Sequence, residues 1–165
     1  MINVARLNNL KPVNIDQFLS LDRLQLGCHI TSKKRLMERI ADLLTHEQPT
    51  LDRKTVLHTL NERERLGSTG IGCGVALPHG RMNGLDSVIG AAAILKSPLE
   101  YDAIDDQPIQ LAFGLLVPAE ATDQHLEILA HLAKLFSDAD LRQLLINASS
   151  KDEAFELLTG WGMGA

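Results

Sequence analysis

Leu24, Leu26, Cys28 and Ile30 alternate with Arg23, Gln25, Gly27 and His29. This period of two predicts a half-buried strand. The period then lengthens. Leu36, Met37, Ile40, Leu43 and Leu44 fall on one helical stripe, with Thr31 or Ser32 as the cap and Pro49 closing the connection after it. A second helix is expected from Asp52 to about Arg65, with Val56, Leu57 and Leu60 inward and Gly67 as its stop. Ser87–Leu95 and Ile109–Val117 are apolar almost throughout, as central strands covered on both faces are. Asp105-Asp106-Gln107-Pro108 makes the turn before the second of them.

Three amphipathic segments follow. Thr122 or Asp123 caps a helix to about Phe136, and Ser137 caps another with Leu141, Leu144 and Leu145 inward. Ser150 with Glu153 forms a capping box for the last. Buried strands mixed with amphipathic helices predict an α/β fold, one domain with a mixed sheet and helices on both faces. Residues 1–14 read as a loose arm, 15–158 as the domain and 159–165 as a frayed tail.

Composition narrows the function. The 165 residues are one domain's worth, 45% apolar and 22% charged. A formal charge of −5 speaks against a nucleic-acid partner, which needs a basic stripe. The longest apolar stretches, Val88–Leu95 and Leu111–Ala119, are too short to span a bilayer, so no membrane insertion is expected. Met1–Leu10 lacks the apolar core of a signal peptide, and Cys28 and Cys73 form neither a CxxC pair nor a disulfide framework. These features together point to the cytoplasm.

The densest cluster of unusual residues is Gly67-Ser68-Thr69-Gly70-Ile71-Gly72-Cys73-Gly74, closing on Pro78-His79-Gly80. On a strand, Gly70, Gly72 and Gly74 would leave one face without side chains, as close approach of a ligand or another backbone requires. The spacing fits neither the dinucleotide GxGxxG, which would need glycine at Leu77, nor the phosphate-loop motif. Metal-protease HExxH and hydrolase GxSxG motifs have no match either, which disfavours a zinc hydrolase and a serine hydrolase, and no metal and no cofactor is expected.

Between Pro78 and Gly80, His79 reads either as a solvated histidine or as a rigidly presented reactive imidazole. Arg63 lies on the inward stripe of the last turn of its helix, as a C-terminal dipole cap or as an anion clamp beside the glycines. His125 shares the stripe of Leu129, Leu132 and Phe136, as a core-edge histidine or as a second imidazole of the same site. Ser68 and Thr69 offer hydroxyls near Arg63, or ordinary turn chemistry. His29, His46, His58 and His131 read as ordinary structural or surface residues.

The run Arg63-Glu64-Arg65-Leu66-Gly67-Ser68-Thr69-Gly70-Ile71-Gly72-Cys73-Gly74-Val75-Ala76-Leu77-Pro78-His79-Gly80 resembles the active-site signature of the mannitol/fructose class of enzyme IIA proteins of the bacterial phosphotransferase system. Asp105-Asp106-Gln107-Pro108, Leu115-Leu116-Val117-Pro118, His125-Leu126, Leu129-Ala130 and Ser32-Lys33-Lys34 extend the resemblance over about residues 15–158. Within the class, the nitrogen-regulatory IIA proteins are the closest likeness. The resemblance implies a phosphocarrier, a phosphotransferase component whose His79 accepts the phosphoryl group. It also implies that Arg63 and His125 stabilise that group and that an HPr-like phosphocarrier protein donates it. Ser68 and Thr69 are then candidates to bind the phosphoryl oxygens.

Such a relay needs a neutral imidazole nitrogen, in-line geometry and positive charge around three equatorial oxygens. A regulatory carrier acting on target proteins, a sugar-specific IIA passing phosphate to a IIB domain, and a IIA-like binding module without transfer are the three functions this sequence allows.

Overall fold

In the computed structural model, which describes residues 13–162, the chain is organised by one six-stranded sheet. A 3-10 turn, Ile15–Gln17, leads into β1 (Leu19–Cys28), followed by α1 (Lys33–Leu44) and α2 (Arg53–Arg65). Three short strands come next: β2 (Gly70–Gly72), β3 (Val75–Ala76) and β4 (His79–Met82). Then come β5 (Ile89–Leu99), β6 (Ile109–Pro118), α3 (Thr122–Phe136), α4 (Ala139–Ile146) and α5 (Lys151–Gly160). The strand order is β1-β5-β6-β3-β2, and β4 also pairs with β6. β1 runs parallel to β5, and β3 and β4 run parallel to β6. The β5–β6 and β2–β3 pairs are antiparallel.

β6 shows why the sheet must be covered twice. Leu111, Phe113, Leu115 and Val117 enter one core with Ile128, Leu132, Leu135 and Phe136 of α3, Leu141 and Leu145 of α4, and Ala154 and Leu158 of α5. Ala112 and Leu116 enter the other core with Leu36, Ile40 and Leu44 of α1 and Val56 and Leu60 of α2. Successive side chains point to opposite faces, so a strand apolar at every position is stable only between two helical layers. The α1 side is lined by small residues, Ala91, Ala93 and Ala112, which let α1 lie close. At Gly114 the approach is closest: a Cβ there would run into Cγ2 of Ile40. Gly114→Val is therefore expected to destabilise the protein by roughly 3 kcal/mol or more through overpacking, read as a lower urea midpoint. An unchanged midpoint would mean that α1 is free to shift.

Several boundaries differ from the sequence reading. The early strand begins at Leu19, and its alternation does not hold to its end. Gly27 has φ +66°, the register with β5 shifts between Gln25 and Cys28, and the side chains of Leu24 and Cys28 enter opposite cores. A bulge of this kind adds a residue and reverses the faces. The three glycines form no continuous face. Gly72 pairs with Val75 across the two-residue turn Cys73-Gly74, both at positive φ, so the segment folds into a hairpin. The tightest backbone approach is at Gly70, whose Cβ would stand 2.8 Å from Cα of Ala103.

Caps also moved. Ser32 and Asp52 cap α1 and α2 as expected, whereas the N-cap position of α3 is Ala121, which gives no side-chain cap. Asp138, rather than Ser137, caps α4, because its carboxylate reaches the amides of Asp140 and Leu141. Ser150 caps α5, and Glu153 returns to Ser149 rather than to Ser150. Leu144 faces solvent, being 51% exposed. The tail is ordered farther than expected: α5 reaches Gly160, and the Trp161 indole donates to Asp138 and packs edge-on against His131. The rest of the expected arm and tail, residues 1–12 and 163–165, lies outside the described residues. Among the described residues, no helix is long and apolar enough to cross a membrane.

Candidate active site

β6 has one edge shared by two short strands. β3 pairs with Leu111 and Ala112, β4 pairs with Leu115–Pro118, and Leu77-Pro78 joins them. Proline has no amide to donate, but its carbonyl accepts from the Leu115 amide at 3.0 Å, which ties the junction to the sheet. β4 thus starts at His79. Among the described strands, β4 pairs only with β6, so its outer edge faces a cleft of about 550 Å³.

The cleft lies across this sheet edge, between the two helical layers. β4 supplies His79 and Arg81, two residues apart and hence on one side of the strand. Gly80, between them, abuts α2: a Cβ there would stand 2.6 Å from Cγ2 of Thr59. That close approach brings His79 to the C-terminal half of α2, where His58, Thr59, Glu62, Arg63 and the C-cap residue Leu66 line the cleft. From the other layer, the first turn of α3 contributes His125. Arg63, His79 and His125 therefore line one cleft, although 62 positions separate Arg63 from His125.

The hydrogen bonds set the protonation of both imidazoles. His79 Nδ1 lies 2.6 Å from the Leu77 carbonyl. A carbonyl only accepts, so Nδ1 carries the proton and Nε2 carries the lone pair. Burial depresses the pKa of His79, the Leu77 bond opposes that, and Arg63 lowers it further against Glu64. The ring is half-buried and stands edge-on to His125, with centroids 5.4 Å apart. His125 is 7% exposed, and its pKa is pushed down to about 4, by burial first and then by His79, Arg81 and Arg63. Its Nδ1 accepts from Nε of Arg81 at 3.3 Å, and its buried Nε2 has no hydrogen-bond partner among the described residues.

Arg63 both ties down its helix end and lines the cleft. Its Nη1 donates to the Gly67 carbonyl at 2.9 Å, tying down the end of α2, while the half-buried side chain lines the cleft. Beside it, Glu64 anchors the same turn from behind. Glu64 accepts from Lys33 at 2.7 Å, from the Thr69 amide and hydroxyl, and from the Tyr101 hydroxyl at 3.2 Å. Burial alone would raise the Glu64 pKa, but Lys33 and Thr69 outweigh it and hold the carboxyl below its usual value.

Thr69 is 4% exposed, and its hydroxyl is engaged by Glu64 and, at 2.9 Å, by Tyr101. The Ser68 hydroxyl accepts from the Gly70 amide at 3.1 Å. Neither residue lines the cleft. Arg81 and His58 are among the cleft residues that the sequence reading did not single out for the site. Arg81 would have been found by reading His79-Gly80-Arg81 as a strand, and His58, read as ordinary, faces the cleft from α2. Both cysteines are free, Cys28 buried and Cys73 exposed. Asp22, His46 and Glu47 bring ligand atoms within 4.8 Å of one another, but all three are exposed and none lines the cleft.

Residues 17–160 match the family described as Phosphoenolpyruvate-dependent sugar phosphotransferase system, EIIA 2. The chain belongs to this family. It is 39% identical over 146 residues to the Nitrogen regulatory protein of Pseudomonas aeruginosa, which covers 88% of this chain and 95% of that protein. The crystal structure of Nitrogen Regulatory Protein IIA-Ntr from Neisseria meningitidis superposes with a TM-score of 0.84 at 43% identity, covering 88% of this chain and 99% of that one. The Escherichia coli mannitol enzyme IIA, solved in complex with phosphorylated mannitol enzyme IIB, superposes with a TM-score of 0.72 at 20% identity, over 86% of this chain and 97% of that one. At that identity the likeness shows the fold. An EIIA type-2 chain is a phosphotransferase-system component.

The low His125 pKa has a consequence for stability. Between about pH 6.5 and 4 the unfolded chain binds a proton at this position and the folded chain does not, so stability falls as pH falls through that window. A loss on the order of 2 kcal/mol is expected between pH 7 and 4.5. His79 and His131, also depressed chiefly by burial, act in the same direction. Urea unfolding at both pH values checks this, and His125→Gln isolates the contribution of His125. A variant that keeps the full slope would place the proton uptake elsewhere.

Proposed function

We propose that this chain is a phosphocarrier that accepts a phosphoryl group on Nε2 of His79 from an HPr-like protein and acts as a phosphorylation-dependent regulator in the cytoplasm. The bond from His79 Nδ1 to the Leu77 carbonyl carries this reading. It leaves one neutral, nucleophilic nitrogen on a half-buried ring in an open cleft. As the donor's P–N bond breaks and the bond to Nε2 forms, positive charge grows on the ring, and the Leu77 carbonyl stabilises it through Nδ1–H. Charge on the transferring group stays on its three equatorial oxygens, so catalysis is positioning plus electrostatics. Arg63 supplies a guanidinium and His125 an Nε2–H donor, while the shallow cleft admits a second protein's histidine. Arg63 and Arg81 give this cleft positive charge on an acidic chain.

The likeness to nitrogen regulatory proteins, at 39% and 43% identity, supports the regulatory branch. On that branch the phosphate's charge would switch contacts with target proteins. Transfer to a IIB domain is the competing destination, favoured by the mannitol relative's complex with its IIB protein. The test supplies phosphoenolpyruvate, the general donor enzyme and each HPr-type carrier, then offers a fructose- or mannitol-type IIB domain as acceptor. An acid-labile, base-stable adduct on His79 that does not pass to the IIB domain is expected. An acid-stable adduct would move the phosphate to a hydroxyl, and rapid discharge to the IIB domain would select the sugar branch.

A further inference from the structure

Arg81 lies two residues beyond His79 on β4, on the same side of the strand, and its Nε donates to Nδ1 of His125 at 3.3 Å. A guanidinium has donors only. Nδ1 of His125 must therefore hold a lone pair, and the imidazole's single proton sits on Nε2. That Nε2–H is buried without a hydrogen-bond partner among the described residues, on a side chain only 7% exposed in the wall of the cleft. Leaving a buried donor unpaired is costly, and the cost disappears when an acceptor arrives. Among the described residues, no group lining the cleft bonds to this Nε2–H: Arg63 has no acceptor, and His79, edge-on with its ring centroid 5.4 Å away, makes no hydrogen bond to it.

We propose that Arg81 is a positioning residue for phosphoryl transfer: by donating to His125 Nδ1 it holds His125 in the Nε2–H tautomer, aiming an unsatisfied donor at the phosphoryl group on His79. The proposal rests on the phosphocarrier reading above for its ligand, but the tautomer lock stands independently of it. The lock needs an Nε–H beside His125. A lysine at the same place lacks that atom and presents its donors from the end of a flexible stem.

The test uses the full chain with 15N-labelled histidines. Two-bond 1H–15N correlation spectra of the unphosphorylated protein report which nitrogen of His125 is protonated. The wild type is expected to show the Nε2–H pattern alone. Arg81→Met is expected to populate the Nδ1–H tautomer of His125 and to slow phosphorylation from the HPr-type carrier by roughly tenfold or more, with the phosphate still on His79. Arg81→Gln, whose amide can donate, is expected to restore part of both. His125 keeping pure Nε2–H in Arg81→Met would overturn the lock. A slower rate with an unchanged tautomer would make Arg81 a direct phosphoryl ligand instead. If Arg81→Met shifts the tautomer but the wild type is never phosphorylated, the phosphocarrier reading fails and the lock survives.

Discussion

His79→Gln is expected to take up no phosphate from an HPr-type carrier, while its urea midpoint stays near the wild-type value. Glutamine keeps an amide donor for the Leu77 carbonyl that now accepts from His79 at 2.6 Å. The local hydrogen bond, worth about 1 kcal/mol, is then largely retained. What disappears is the nucleophilic nitrogen, for which an amide has no substitute at neutral pH. The ring lies at the start of an edge strand rather than in either core, so its loss creates no cavity. Labelled phosphate from phosphoenolpyruvate reads the effect. Retained label would end the His79 assignment, and the adduct's acid stability would then show whether a hydroxyl had taken it. Thr69 is a poor candidate for that role, being buried with its hydroxyl already engaged by Glu64 and Tyr101.

Arg63→Met is expected to slow transfer by roughly a hundredfold or more, the usual consequence of removing one preorganised donor to transition-state charge. The accompanying loss of stability should be only about 1 kcal/mol, from the single bond to the Gly67 carbonyl and the interaction with the end of the α2 dipole. Methionine keeps most of the stem's packing. Arg63→Lys should recover charge without the fork and fall between the two. Single-turnover transfer rates and urea unfolding, measured on the same preparations, separate the roles. A loss of stability with unchanged transfer would mean that Arg63 is a helix cap only.

How far the site could be read in advance depended on its local structure. Arg63 and His125 lie on helices whose apolar stripes are regular, so the inward position of each followed from Val56 and Leu60, and from Leu132 and Phe136. Arg81 was missed because β4 is only four residues long, His79–Met82, too short for a period to show. The glycines misled for a related reason. Their spacing of two mimics a strand face, but positive φ at Cys73 and Gly74 turns the chain back on itself. The Cys73 amide is held in that turn by Asp105, 32 positions away, a partner that no local pattern announces. Thr69 looked available for the same reason: the residues that engage it, Glu64 and Tyr101, come from α2 and from the loop after β5.

By itself the sequence determined the layers. Apolar strands such as β6 require cover on both faces, and the amphipathic helices supply it, because burial of apolar surface depends on periodicity that is local in the chain. The sequence also singled out a histidine set between proline and glycine, which the fold places at the start of β4 in the cleft. Only the tertiary structure decided which nitrogen of His79 is free, that Arg81 faces His125, and that Thr69 is already engaged. Each of these is a hydrogen bond or a packing contact that tertiary folding sets, several of them between groups far apart in the chain. Such contacts depend on angstrom-scale placement of whole elements, which the order of residues constrains only once the chain has folded.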